Sequence, residues 1–134
     1  MKDFVFIIVF AFLIYGCNPK SSASQQKITE LTTLRIDTID YWFGNVSKSD
    51  GPINHNFVIY NIGNNNLIIN EVGGGCHCMT AVYTKSPIAP GDSVTISVTY
   101  DVSDPVGYFS RSIYVYSNSN NNPIALILRG TITE

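Results

Sequence analysis

The residues with the most chemistry in this chain stand together, as Gly73-Gly74-Gly75-Cys76-His77-Cys78-Met79. Soft sulfur donors select Cu(I), and imidazole also suits copper or zinc. In an extended segment successive side chains point to opposite faces, so Cys76 and Cys78 would share one side and His77 and Met79 the other. All four donors could meet one ion only if the chain bends, and the glycine triplet accepts bent conformations that other residues avoid. A second reading is a Cys76–Cys78 disulfide, which persists in an oxidising compartment. In a flat strand, residues two apart sit near the upper limit of Cα separation, which would leave such a bridge easily reduced. A third reading is structural, with two small residues on a core-facing edge and His77 exposed. The spacing alone leaves all three open.

No catalytic set accompanies this cluster. Nucleophilic catalysis needs a base and an orienting group beside the nucleophile. The chain has two histidines and no Gly-x-Ser-x-Gly motif. His55, the second histidine, reads as a surface residue of a strand. Asp101 and Asp104 flank a turn and read as solvated. No loop carries the spaced oxygens that calcium needs. The expectation is therefore a protein without enzymatic activity and without a resident cofactor, copper or zinc at Cys76, His77, Cys78 and Met79 being the alternative.

The N-terminus supplies an address. Phe4 to Tyr15 is an unbroken run of 12 apolar residues behind Lys2. A membrane-spanning helix needs roughly 17–25, so the run fits the apolar core of a signal peptide better than an anchor. Ile14-Tyr15-Gly16-Cys17 resembles a bacterial lipobox, which implies cleavage after Gly16 and a diacylglycerol on the Cys17 sulfur. That assignment also accounts for the odd cysteine of the three. Residues 18–27 (NPKSSASQQK) have no apolar periodicity and read as a flexible tether. The organisation expected is a signal peptide over 1–16, a lipidated Cys17 and tether over 17–27, and one domain over 28–134.

That domain reads as strands. Val94, Ile96, Val98 and Tyr100 alternate with Thr95, Ser97, Thr99 and Asp101, the pattern of a half-buried antiparallel strand. Further strands are expected at 34–39, 42–46, 54–61, 66–72, 80–84, 108–116 and 124–132. Turn residues separate them: Asp50-Gly51-Pro52, Gly63-Asn64-Asn65, Pro90-Gly91-Asp92 and the Asn-rich stretch before Pro123. Short strands at this spacing in about 100 residues predict a single immunoglobulin-like antiparallel β-sandwich of about seven strands. Trp42, the one tryptophan, belongs to the core or to a sheet edge. Charged residues make up 13% of the chain and the net charge is −2. No Lys/Arg cluster offers a footprint for nucleic acid.

The order of several motifs resembles the family called domain of unknown function 1573, common in Bacteroidetes lipoproteins and similar to immunoglobulin-like domains of the PapD and Hydin type. Trp42-Phe43-Gly44-Asn45-Val46 resembles its opening aromatic-Gly-x-Val element. Phe57 to Gly63 resembles its F-x-x-x-N-x-G strand and turn, and Pro87-Ile88-Ala89-Pro90-Gly91 its P-I-x-P-G turn. Gly107-Tyr108-Phe109 with Ser117-Asn118 resembles its G-x-F…S-N hairpin, and Gly130 falls in the last strand. Where the family shows Cys-Gly-Cys-Thr, this chain has Cys76-His77-Cys78-Met79. The resemblance implies fold and address, but no reaction. In such lipoproteins an acidic stretch after the lipidated cysteine resembles a surface-export signal. Here no acid follows Cys17 until Glu30, so the expected location is the cell envelope, lipid-anchored at the outer membrane and facing the periplasm. The function expected is a binding or structural module with an envelope partner. The alternatives are a periplasmic copper or zinc binder and a thiol redox protein, both built on Cys76-His77-Cys78.

Overall fold

Among residues 30–134, period-two alternation of apolar and polar residues becomes eight β-strands, one at each of the eight expected positions: β1 (Leu34–Ile36), β2 (Asp40–Ser47), β3 (Ile53–Asn61), β4 (Ile69–Gly73), β5 (Met79–Val82), β6 (Ser93–Tyr100), β7 (Gly107–Ser117) and β8 (Ile124–Thr133). The computed structural model describes residues 30–134. The expected signal peptide, Cys17 and tether lie outside the described residues. Two four-stranded sheets form the sandwich, in the orders β1-β3-β6-β5 and β2-β8-β7-β4. Every pair is antiparallel except β2 with β8.

Two strand boundaries differ from expectation because the chain has to change sheets. The 34–39 strand ends at Ile36, and residues 37–39 carry the chain across to begin β2 in the other sheet. The 66–72 strand starts only at Ile69; Leu67 makes an isolated bridge to Ile88. The faces follow the parity of the sequence. Ile96, Val98 and Tyr100 of β6 and Phe57 and Ile59 of β3 turn inward against Phe109, Ile113 and Val115 of β7 and Leu126, Leu128 and Ile132 of β8. Each large apolar side chain taken fully out of water contributes on the order of 1.5–3 kcal/mol.

One end of the sandwich is held by two buried asparagines. Asn61, at the end of β3, accepts from Thr32 Oγ1 at 3.0 Å and from the Gly63 amide at 3.1 Å; its amide donates to the carbonyls of Asn65 and Ile88, both at 2.8 Å. Asn118, just after β7, accepts from the Ile68 amide at 2.7 Å and donates to the carbonyls of Glu30 and Asn66 at 2.8 and 2.9 Å. The side chain of Asn61 thus fills both acceptor and both donor positions of its amide. Three separate loops and the incoming segment at Glu30–Thr33 converge here. The approach is so close that a Cβ on Gly63 would lie 2.1 Å from Thr32 Oγ1 and 2.5 Å from the Thr33 nitrogen.

Removing the Asn61 side chain would leave the Gly63 amide N–H without its partner; the Thr32 hydroxyl and the Asn65 carbonyl would keep only each other, and the Ile88 carbonyl only the Leu67 amide. An unsatisfied buried group costs about 1–3 kcal/mol. Asn61→Ala is therefore expected to lower unfolding stability by about 2 kcal/mol, as read from urea midpoints at unchanged slope. A loss below about 1 kcal/mol would show that the end is not held this way.

Candidate functional site

The Gly-Cys-His-Cys segment is the crossover from β4 to β5, and so from one sheet to the other. It turns instead of extending. Gly74 and Gly75 both have φ of +85°, and a Cβ on Gly75 would sit 2.3 Å from the Ser112 carbonyl oxygen of β7. A side chain is excluded there both by conformation and by space. After the glycines, the Met79 amide donates to the Cys76 carbonyl at 3.4 Å, and the Cys78 carbonyl accepts from the Asp101 amide at 2.8 Å. This turn brings the Cα atoms of Cys76 and Cys78 to 5.1 Å, and the two cysteines are disulfide-bonded. The separation lies inside the ordinary range of roughly 4.4–6.8 Å, whereas a flat strand would have put it near the upper limit.

The turn also changes which neighbours share a side. His77 is exposed, while Met79 enters β5 and is buried in the core, with Cys76 and Cys78 half-buried against it. The expected pairing of His77 and Met79 on one face is corrected: the strand begins at Met79, and its register with Tyr100 fixes the side chain inward. Among the described residues, no group of three or more His, Cys, Asp or Glu side chains gathers to hold a metal ion. An open hollow of about 340 Å³ lies over the turn, lined by Gly74, Gly75, Cys76, His77, Met79 and Thr80.

A second exposed feature is the outer face of the β2-β8-β7-β4 sheet. Along β7 the outward positions read Tyr108, Ser110, Ser112, Tyr114 and Tyr116. Trp42, on the edge strand β2, projects on the same face and stacks with Tyr108, ring centroids 6.2 Å apart and planes 22° from parallel. Trp42 is 54% and Tyr108 63% exposed, so these rings are not part of the core. Arg129 of β8 stands in register with both Trp42 and Ser110. It pairs with Asp40 at 2.9 Å, and its Nε–H has no acceptor among the described residues. The tryptophan expected in the core or at a sheet edge is at the edge, facing out.

The loop between β6 and β7 is fastened by a group that sequence reading missed. Asp104, expected to be solvated, accepts the hydroxyl of the fully buried Tyr100 and a two-point contact from Arg111, with Nε at 2.8 Å. The Arg111 hydrogen bonds hold the Asp104 carboxyl below its ordinary range. Burial, followed by the bond to Asp104, pushes the Tyr100 phenol up to about 12. Asp101 is exposed, as expected.

A family model described as protein of unknown function (DUF1573) matches residues 34–132. The chain belongs to this family. No curated protein matches it. Among solved structures, it is similar to a protein of unknown function from Porphyromonas gingivalis W83, at 15% identity and a TM-score of 0.66 over 77% of this chain and 48% of that one. It is also similar to two Vibrio cholerae proteins. For the secreted serine protease VesC the identity is 16% and the TM-score 0.56, over 75% of this chain and 23% of that one. For the VesB protease the values are 15% and 0.53, over 76% and 32%. The chain spans about half or less of the length of each, and at these identities the likeness shows the fold alone.

The DUF1573 motifs acquire physical reasons in this fold. The Asn and Gly of the F-x-x-x-N-x-G element are Asn61 and Gly63, one the hub of the clamped end and the other the point of closest approach. The Ser-Asn of the hairpin element contains Asn118. Gly130 lies where a Cβ would be 2.7 Å from the Phe109 ring and 2.9 Å from the Gly44 carbonyl oxygen.

His55 is not the surface residue that was expected. It shares the parity of Phe57 and Ile59 and so points between the sheets. There it stacks on Tyr41 with centroids 3.6 Å apart and meets Phe57 edge-on at 4.7 Å. Burial lowers its pKa from the ordinary 6.5. A base whose folded pKa is depressed contributes stability above its unfolded pKa and loses that contribution as pH falls through the folded value. Unfolding stability is therefore expected to drop as the solution is acidified from about pH 7 to about pH 5. His55→Phe, which keeps an aromatic ring in the stack and cannot charge, should flatten that drop. An unchanged slope in the variant, measured by urea unfolding at each pH, would refute the role given to His55.

Proposed function

We propose that the protein is a non-enzymatic binding module of the cell envelope, lipid-anchored through Cys17 at the outer membrane, facing the periplasm and presenting the outer face of the β2-β8-β7-β4 sheet to an envelope partner. One observation carries this reading: a Trp–Tyr stack more than half exposed, in line with Tyr114 and Tyr116, so that the exposed aromatic rings gather on one sheet face while the exposed aliphatic side chains Leu31, Ile62, Val82 and Val106 lie elsewhere in the chain. Tyr and Trp give large rigid contact area at low entropic cost, and serine adds adaptable hydrogen bonding; that combination is enriched in binding surfaces. The side chains with shifted acidity support the non-enzymatic part. Asp104 and Tyr100 fasten a loop, and His55 is packed between aromatic rings, so each is committed to structure. The lipobox-like Ile14-Tyr15-Gly16-Cys17 and the tether after it supply the address. A single acyl chain holds a protein to a bilayer only marginally, and a stable anchor needs a second.

Two outcomes are expected. Cells fed an alkyne-tagged fatty acid should label the wild-type protein and not Cys17→Ser; equal labelling would remove the anchor from this account. Trp42 is the sole tryptophan, so its emission reports directly on the proposed face. Titration with solubilised outer-membrane protein and with soluble peptidoglycan fragments should shift that emission for one of the two. Tyr108→Ala should weaken the response about tenfold without changing the unfolding midpoint. No shift with either fraction at saturating amounts would count against this face as the binding surface.

A further inference from the structure

We infer that Cys76 and Cys78 form an exchangeable dithiol–disulfide couple, with Cys76 the sulfur that incoming thiols attack. Three observations carry this beyond the binding role, and none depends on the aromatic face. The bridge joins residues two apart inside one turn, so it ties no strand to another. The entropic benefit of a disulfide grows with the loop it closes, which makes this among the least useful places for a staple. The β4–β5 crossover is fixed without it: Gly74 and Gly75 set its path against β7, the Asp101 amide holds the Cys78 carbonyl, and Met79 is locked into register with Tyr100. The bridge also lies at an open surface. Cys76 lines the hollow over the turn beside the exposed His77, and Cys78 does not.

The position in the fold suits such a couple. β4 begins beside Ser117, at the asparagine-clamped end where the chain enters at Glu30, and stops opposite Tyr114; the crossover then delivers Cys78 and Met79 to Asp101 and Tyr100, at the end of β6 away from that clamp. The turn is thus displayed at the end of the sandwich farthest from that entry.

The chemistry balances as thiol exchange with a partner dithiol. A partner thiolate attacks Cys76 Sγ, forming a mixed disulfide, and the Cys76–Cys78 bond breaks with Cys78 leaving as thiolate. The partner's second thiolate then attacks its own sulfur in the mixed disulfide and releases Cys76 as thiolate. Two electrons and, after protonation from water, two protons have passed to this protein, and the partner leaves oxidised. A disulfide compound acting in the reverse sense restores the bridge.

The test uses the full-length protein as the cell makes it, in detergent, equilibrated in mixtures of glutathione and glutathione disulfide. After acid quenching and alkylation, the peptide containing both cysteines is weighed. The expected result is interconversion within minutes, with both forms populated across millimolar mixtures. The reduced protein should also keep its thermal midpoint within a few degrees of the oxidised one. A bridge that stays oxidised throughout, or one whose reduction unfolds the protein, would overturn the proposal in favour of a structural staple. Single variants then test the assignment of the attacked sulfur. Cys76 in Cys78→Ser should alkylate ~10-fold faster than Cys78 in Cys76→Ser. Equal or reversed rates would overturn that assignment.

Discussion

The sandwich depends on two asparagine side chains at one end. Asn61 and Asn118 are 1% and 7% exposed. Between them they satisfy the backbone of residues 30, 63, 65, 66, 68 and 88 and the hydroxyl of Thr32. Loops that change sheets carry backbone groups that neither sheet can pair, and an orphaned buried polar group is expensive. A side-chain amide, with two donors and a two-lone-pair acceptor on one rigid plane, resolves several of these at once. The apolar layers supply most of the gross driving force. The asparagines decide where the ends of those layers close and which way the incoming segment points.

With that end closed, the chemistry is left to the rest of the surface. The Gly-Cys-His-Cys crossover stands at the other end, and the Trp42–Tyr108 row lies along one outer face. The Tyr100–Asp104–Arg111 group fastens the neighbouring β6–β7 loop, next to the strand pair that receives Met79. A firm loop beside the cysteine turn gives that turn a fixed platform, so changes at Cys76 and Cys78 need not spread into the core.

Much of the fold was legible in the sequence because a half-buried strand writes itself as alternation. Val94 to Tyr100 is the clearest case, and its expected inner face is the observed one. Less was legible at the sites, for reasons that differ by residue. His55 was misread although the signal was present: it has the parity of Phe57 and Ile59, so a strand that buries those turns the imidazole inward too. Met79 departs from the alternation because His77 and Cys78 form a turn, closed by the Met79 amide on the Cys76 carbonyl, instead of extended chain. Asp104 carried no signal, since Arg111 is its partner only after a loop folds back and β7 begins. Asn61 reads as the last residue of a strand and Asn118 as one of an Asn-rich turn; which asparagines of an Asn-rich chain are buried is decided by tertiary closure.

The most direct test of this account is amide hydrogen exchange at the clamped end. The amides of Gly63 and Ile68, which donate to the Asn61 and Asn118 side chains, and that of Thr32, which donates to the Asn118 carbonyl, lie outside the regular strands. The account predicts that they exchange as slowly as the core-strand amides of Ile96 and Leu128, through global unfolding alone. Exchange at the rate of exposed loops would contradict it, showing that this end opens freely and that the two sheets hold together without the asparagines.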